Sequence, residues 1–188
     1  LKDKVVVEIG GGPKPALLFT DKNVKRSILV EPSGKSYPDY IREDYKNNNI
    51  ELIDSPYEDA DIGEVDETWF FNVLQHVLDP KEQLEKAKRT SKIVRIFEPI
   101  NTETNLMHPH SLTEELFTSV FGKDFGQVFV HSGDNVAIKH SYITNTTTES
   151  QVHVKSLYVA SPTGNGVYYQ TQDGEGGHRR YSFSKFLN

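Results

Sequence analysis

The sequence predicts an α/β fold with a mostly parallel central sheet, and three observations point there. Short apolar runs alternate with amphipathic or polar stretches through the first two-thirds of the chain. Several runs are apolar at consecutive positions, as strands covered on both faces are. Glycine, proline or an acidic residue closes most of them, the punctuation of a strand giving way to a turn.

Taken in order, Lys4–Ile9 (KVVVEI) is a β-branched run ended by Gly10-Gly11-Gly12. Ser27–Val30 (SILV) is a second strand, followed by Glu31-Pro32, and Ile50–Ile53 (IELI) a third, followed by Asp54-Ser55-Pro56. Glu67–Phe71 (ETWFF) is a fourth, and Lys92–Phe97 (KIVRIF) a fifth, closed by Glu98-Pro99. The stretch from Gly12 to Ser27 leaves room for a first helix of only one or two turns. Asp79-Pro80 opens a helix in which Leu84 and Ala87 share a face. A further helix fits Thr113–Phe121, capped by Ser111 or Thr113, with Glu114 and Glu115 in its first turn.

The pattern then changes. Gln127–His131 and Val152–Ala160 alternate as an antiparallel pair, with the polar stretch Asp134–Gln151 between them. Gly166–Gln170 and Arg179–Phe183 flank Asp173–Gly177 as an added C-terminal hairpin with a glycine-rich loop. Its Tyr168, Tyr169, His178, Arg179, Arg180, Tyr181 and Phe183 suit either an edge hairpin covering the sheet or a grip on a sugar, base or phosphate.

A length of 188 residues suits a single domain over 1–188. The absence of cysteine removes thiolate chemistry and cysteine metal sites, and fits a reducing cytosol. With a formal net charge of -6, no general attraction to nucleic acid or to an anionic membrane is expected. No apolar run approaches the ~20 residues of a membrane span, and no secretory signal is visible. The expectation is a cytoplasmic protein acting on a small molecule.

The chemistry concentrates where strands end. Glycines at 10, 11 and 12 clear side chains from the carboxyl edge of the first strand, where ligands of open α/β sheets bind. A dinucleotide turn asks for a third glycine at position 15, which is proline, so the G-x-G-x-x-G pattern fails. Glu8, two positions before the first of these glycines, favours a cationic or amino-bearing ligand. Glu31, at the end of the second strand, is placed to accept both hydroxyls of a ribose.

With these residues in view the chain resembles the class I S-adenosylmethionine (SAM)-dependent methyltransferases, particularly their small "type 11" branch. The resemblance rests on Glu8-x-Gly10-x-Gly12, on Glu31, and on Asn72-Val-Leu-Gln-His76-Val-Leu-Asp79-Pro80, and it spans residues 4–121. It implies a Rossmann-like sheet with an antiparallel C-terminal strand pair, a cofactor half over 1–100, and substrate-side loops and strands over 101–188. It implies SAM as cofactor and S-adenosylhomocysteine (SAH) as product. Gly10, Gly11 and Gly12 would line the methionine part, with Glu8 near its amino group, and Glu31 would hold the ribose. Asp54, Ser55 and Pro56 would flank the adenine, and Asn72 and Val73 would sit beside the sulfonium. The family's usual Pro-Gly-Gly before strand five is replaced by Arg89-Thr90-Ser91.

Methyl transfer to oxygen or nitrogen can use a base, and His76, Glu98, His108 and His110 are the candidates. His76 reads also as a helix residue packed under the cofactor, and His108 and His110 as capping or surface residues. His108-x-His110 has no third ligand to make a metal site, and none is expected. Two other readings stand beside this one. A non-catalytic SAM-binding scaffold would carry the same cofactor motif. A nicotinamide-dependent oxidoreductase would use Tyr181 and Lys185, but that pair lies on the last strand, away from the cofactor edge.

Overall fold

Nine strands and three α-helices are formed in the computed structural model, which describes residues 1–20, 23–99 and 103–122 and, beyond these, the strand backbones 126–133, 136–145, 168–171 and 178–181. The predicted strands form β1 (Val5–Ile9), β2 (Arg26–Val30), β3 (Ile50–Ile53), β4 (Val65–Phe71) and β5 (Ser91–Pro99). All adjacent pairs among them are parallel. They continue into β6 (Gly126–Gly133) and β7 (Val136–Asn145), giving a seven-stranded sheet in the order β3-β2-β1-β4-β5-β7-β6. β7 runs antiparallel to both of its neighbours. The order reverses between β1 and β4, which opens a crevice at their carboxyl ends.

Alternation along the strands fills two cores. Val7, Ile28, Val30, Phe70, Val94 and Ile96 face Leu84 and Ala87 of α2 (Pro80–Thr90) and Phe117 and Val120 of α3 (Glu114–Phe121). Val6, Leu29 and Trp69 face the opposite layer, where Tyr45 of α1 (Asp39–Asn47) packs beside Ala16 and Leu17. Asp79 caps α2 by accepting from the Lys81 and Glu82 amides at 2.9 and 3.1 Å, and Thr113 caps α3 through Leu116. The first crossover contracts to a single 3-10 turn, Ala16–Phe19.

Three features depart from the sequence reading. Residues Val136–Asn145, read as part of a polar connection, form β7 and pair with β5, because Val136, Ile138, Tyr142, Ile143 and Thr144 carry strand propensity despite the polar residues between them. α1 is an additional helix. Five of its nine residues are charged, so its buried side rests on few apolar positions, Tyr45 chief among them. The connection between β3 and β4, which the sequence reading left unassigned, carries a 3-10 turn at Tyr57–Asp59. The C-terminal hairpin forms as β8 (Tyr168–Thr171) and β9 (His178–Tyr181), two antiparallel strands in a sheet of their own. Val152–Ala160, the loop Asp173–Gly177, Phe183 and Lys185 lie outside the described residues. Among the described residues no helix is long and apolar enough to cross a membrane.

Candidate functional site

A cleft of about 430 Å³ opens at the crevice between β1 and β4. Gly10, Glu31, Pro32, Tyr57, Asn72 and His76 are among its walls. Of the glycine turn, Gly10 lines the cleft. Gly10 takes φ +61°, its N–H donates to the Val30 carbonyl at 2.8 Å, and an added Cβ would stand 2.3 Å from Val73 Cγ2. Position 10 therefore needs glycine for its backbone and for its space. Gly12 takes φ +65°, but an added Cβ there would meet nothing within 4 Å. The space over Gly12 is open, as a turn that receives a ligand against its backbone requires.

Two buried carboxylates shape this turn. Both oxygens of Glu8 accept backbone amides at 2.8 Å, from Ala16 and from Leu17. Burial pushes its carboxyl up to about 7, although those two hydrogen bonds pull the other way. Glu8 thus ties down the start of the 3-10 turn, and its oxygens are turned to that backbone and not to the cleft. Glu31 lines the cleft and is 6% exposed. It accepts the Gly12 amide on Oε2 and the Ser33 amide on Oε1, each at 3.0 Å.

On the β3 side, Pro56, Tyr57 and Glu58 form the wall. Asp54 accepts the Lys35 amide at 2.6 Å and pairs with Lys35 Nζ at 2.9 Å, which holds its carboxyl below the usual range. Ser55 Oγ donates to the Pro56 carbonyl at 3.1 Å. Lys86, from α2, fixes the wall from behind by donating to the Tyr57, Glu58 and Ala60 carbonyls at 2.5, 3.0 and 2.8 Å. Gln83 Nε2 adds a bond to Glu58 at 2.9 Å.

On the β4 side, Asn72 takes φ +61°, a left-handed conformation uncommon outside glycine, and donates its amide to the Phe97 carbonyl at 2.9 Å. Val73 follows, in contact range of Gly10. Its amide and that of Leu74 donate to Glu98 Oε1 at 2.7 and 2.9 Å. Glu98 is fully buried beneath this loop. Of the four proposed bases it is therefore the one that supports the backbone from within, where no acceptor can reach it.

The three histidines lace two loops together. His76 Nδ1 donates to the Met107 carbonyl at 2.7 Å, its ring meets that of His108 edge-on at 4.7 Å, and His110 Nε2 donates to the Val77 carbonyl at 2.8 Å. A carbonyl only accepts, so the Met107 contact puts a proton on His76 Nδ1 and leaves Nε2 as the basic nitrogen of the neutral ring. His76 alone of the three lines the cleft. His110 is committed to holding the loop.

Sequence reading missed Pro32, Tyr57, Glu58 and Leu78 in the walls, and Tyr45 and Lys86 behind them. For Tyr57, the Pro56-Tyr57 step after an acidic strand end was the available signal. Nothing in the sequence marks Lys86.

A scan against protein-family models finds no match, and neither does a search of curated proteins. Solved structures do match. Magnesium protoporphyrin IX methyltransferase (ChlM) from Synechocystis PCC 6803 with bound SAH aligns at TM-score 0.61 and 9% identity, over 77% of this chain and 75% of that one. The N-terminal domain of EvdMO1 in the presence of SAH and D-fucose aligns at 0.54 and 14%, over 76% of each chain. The PH0226 protein from Pyrococcus horikoshii OT3 aligns at 0.57 and 12%, over 77% of this chain and 82% of that one. The chain has the Rossmann-like fold of the class I SAM-dependent methyltransferases, with the sheet order described above.

Proposed function

We propose that this protein is a SAM-dependent methyltransferase that methylates an oxygen or nitrogen of a small-molecule acceptor, with residues 1–188 acting as one domain. The observation that carries the reading is Glu31: a buried carboxylate on the cleft wall, bonded to the amide of Gly12, a left-handed glycine at which a Cβ would meet nothing within 4 Å. Its remaining lone pairs suit the two hydroxyls of a ribose. A volume of about 430 Å³ admits an adenosine with an amino-acid tail. The solved structures of like fold that hold SAH support the same reading. A nicotinamide dinucleotide is disfavoured because Pro15 stands where its turn needs glycine.

In this reading Gly10, Gly12, Asn72 and Val73 hold the amino-acid tail, and Pro56 and Tyr57 flank the adenine. SAM supplies, when bound, a methyl group already activated on a sulfonium. The protein then has to orient the acceptor and remove its proton. His76 is the assigned base: Nε2 takes the proton, while the Nδ1–H bond to Met107 fixes the ring. His108, edge-on to that ring, and His110, bonded to Val77, orient it.

Calorimetry with SAH and NAD tests the cofactor assignment; micromolar NAD affinity with no SAH response defeats it. Given a productive acceptor from a metabolite panel, His76→Gln lowers turnover by about 10²–10⁴-fold, the contribution of a positioned base, and leaves SAH affinity within about twofold. Unchanged turnover would leave proximity alone as the source of rate.

A further inference from the structure

The helix that the sequence does not announce has a task at the cofactor cleft. Tyr45 lies in α1 and is 1% exposed, and its phenol donates to the Gly12 carbonyl at 2.9 Å. The Gly12 amide, on the other side of the same residue, donates to Glu31 at 3.0 Å. Gly12 is thus held at both of its polar backbone atoms, one by a buried phenol and one by a buried carboxylate. No side chain at position 12 packs against anything, because there is none, and even a Cβ would touch nothing. These two hydrogen bonds are therefore the specific restraints on a residue that glycine's freedom would otherwise leave loose.

Tyr37, six residues after Gly12's partner Glu31, adds to the arrangement. It is half-buried just before α1, and burial, the Glu31 charge and a hydrogen bond with that carboxylate push its phenol above the ordinary range. One phenol steadies Glu31 while the other steadies the glycine that Glu31 binds.

We propose that Tyr45 is a positioning residue for the cofactor, fixing the Gly12 peptide in its left-handed conformation before the ligand arrives. The inference rests on the cofactor reading above. Preorganisation of this kind shows in affinity, because a floppy turn has to be ordered by the ligand at the ligand's expense. Tyr45→Phe keeps the ring in its core position and deletes only the hydroxyl.

The full-length protein and its Tyr45→Phe and Tyr45→Leu variants are compared by SAH calorimetry, thermal unfolding and amide exchange across residues 10–17. Tyr45→Phe is expected to weaken SAH binding about three- to tenfold, the scale of one lost hydrogen bond, and to speed exchange in the turn. Its melting temperature should stay much closer to the parent's than that of Tyr45→Leu, which also loses packing. In the double variant with Glu31→Gln the affinity losses should not add, since both act on one peptide. Tyr45→Phe affinity within twofold of the parent, or unchanged exchange over 10–17, overturns the assignment and leaves Tyr45 as core packing. A parent protein that binds no SAH defeats the cofactor reading instead. If exchange then still rises in Tyr45→Phe, Tyr45 positions the turn for some other ligand, and its cofactor role falls with that reading.

Discussion

The carboxyl edge of the sheet is built in two ways on the two sides of β1. Toward β2 and β3 it is backbone held by buried side chains: Gly10 and Gly12 at positive φ, the Gly12 and Ser33 amides on Glu31, and the Ala16 and Leu17 amides on Glu8. Toward β5 it is loops held by one another, His76 on the Met107 carbonyl and His110 on the Val77 carbonyl, with Glu98 and the Phe97 carbonyl anchoring the β4 loop to the sheet. The first construction suits a ligand of fixed shape, bound through its invariant polar groups. The second can be altered one loop at a time, which suits an acceptor site. Substitutions on the first side should accordingly change folding and cofactor affinity together, and those on the second should change turnover.

The comparison is broken most directly within the glycine turn. Gly10→Ala combines a left-handed backbone with a Cβ 2.3 Å from Val73, and should cost about 2–5 kcal/mol of stability, from backbone strain and overpacking together. Gly12→Ala meets the strain but no neighbour, and should cost only about 1–2 kcal/mol while still abolishing close ligand approach. Urea unfolding and SAH titration of the two variants would separate them; equal stability losses would show that Val73 yields easily and that the turn is softer than its geometry.

Two buried carboxylates sharpen the comparison through pH. Glu67, on β4, lies against Arg95, Lys4 and the Trp69 indole. Burial raises its carboxyl, but those partners outweigh it and hold it at about 2, below an ordinary value of 4.5. Its stabilisation is therefore complete above pH 4.5 and is lost as pH falls through 2. Glu8, held at about 7, has the opposite sign: the folded protein keeps the proton that the unfolded chain releases near 4.5. Stability should therefore decline from pH 4.5 to 7 by about 3 kcal/mol on this account alone. Glu8→Gln should start from a lower maximum, because an amide cannot accept both backbone N–H groups, yet it should flatten that decline. A decline equally steep in Glu8→Gln would show that the proton sits elsewhere.

This contrast also explains what could be read from the sequence. Gly10, Gly12 and Glu31 are visible because a turn at positive φ calls for glycine and because a carboxylate closing an apolar strand stands out. All five parallel strands, the Asp79 cap and the helix after it were legible for a related reason, since burial and capping are local demands. Glu98 was named as a candidate base because a carboxylate at a strand end looks the same whether it points into a cleft or, as here, lies buried under a loop. β7 was missed where Lys139, His140 and Ser141 interrupt the apolar pattern. Tyr45 and Lys86 act through hydrogen bonds to carbonyls 33 and 26–29 residues away, and no local spacing records such contacts.

On the cofactor side, Glu31→Ala should weaken SAH binding by about 1–3 kcal/mol, the scale of hydrogen bonds to a charged group. Part of that loss would come through Gly12, whose amide loses its acceptor. His110→Ala, on the other side, should leave SAH affinity unchanged within error while loosening the loop it ties to Val77. If His110→Ala weakened SAH as much as Glu31→Ala, the two sides of the edge would not be separable.

The smallest effect is expected at Asp54, where the resemblance and the geometry diverge. The resemblance implies that this carboxylate receives the adenine amino group. In the structure Lys35 occupies it twice, through its amide at 2.6 Å and its ammonium at 2.9 Å, and the Lys35 side chain is 79% exposed. An exposed ion pair of this kind contributes little and is screened by salt. An adenine amino group would compete with Lys35 for the same oxygens, and exchanging one donor for another changes the balance only slightly. Asp54→Ala should therefore weaken SAH binding by less than about threefold, far below the Glu31→Ala loss. Lys35→Met provides the complementary measurement, because it removes the ammonium and keeps the amide bond. If the ammonium and the adenine compete, Lys35→Met should bind SAH slightly more tightly than the parent, and the gain should shrink as salt is added. A loss above tenfold in Asp54→Ala would mean that the Lys35 pair opens on binding and that Asp54 belongs with Glu31 among the principal cofactor contacts.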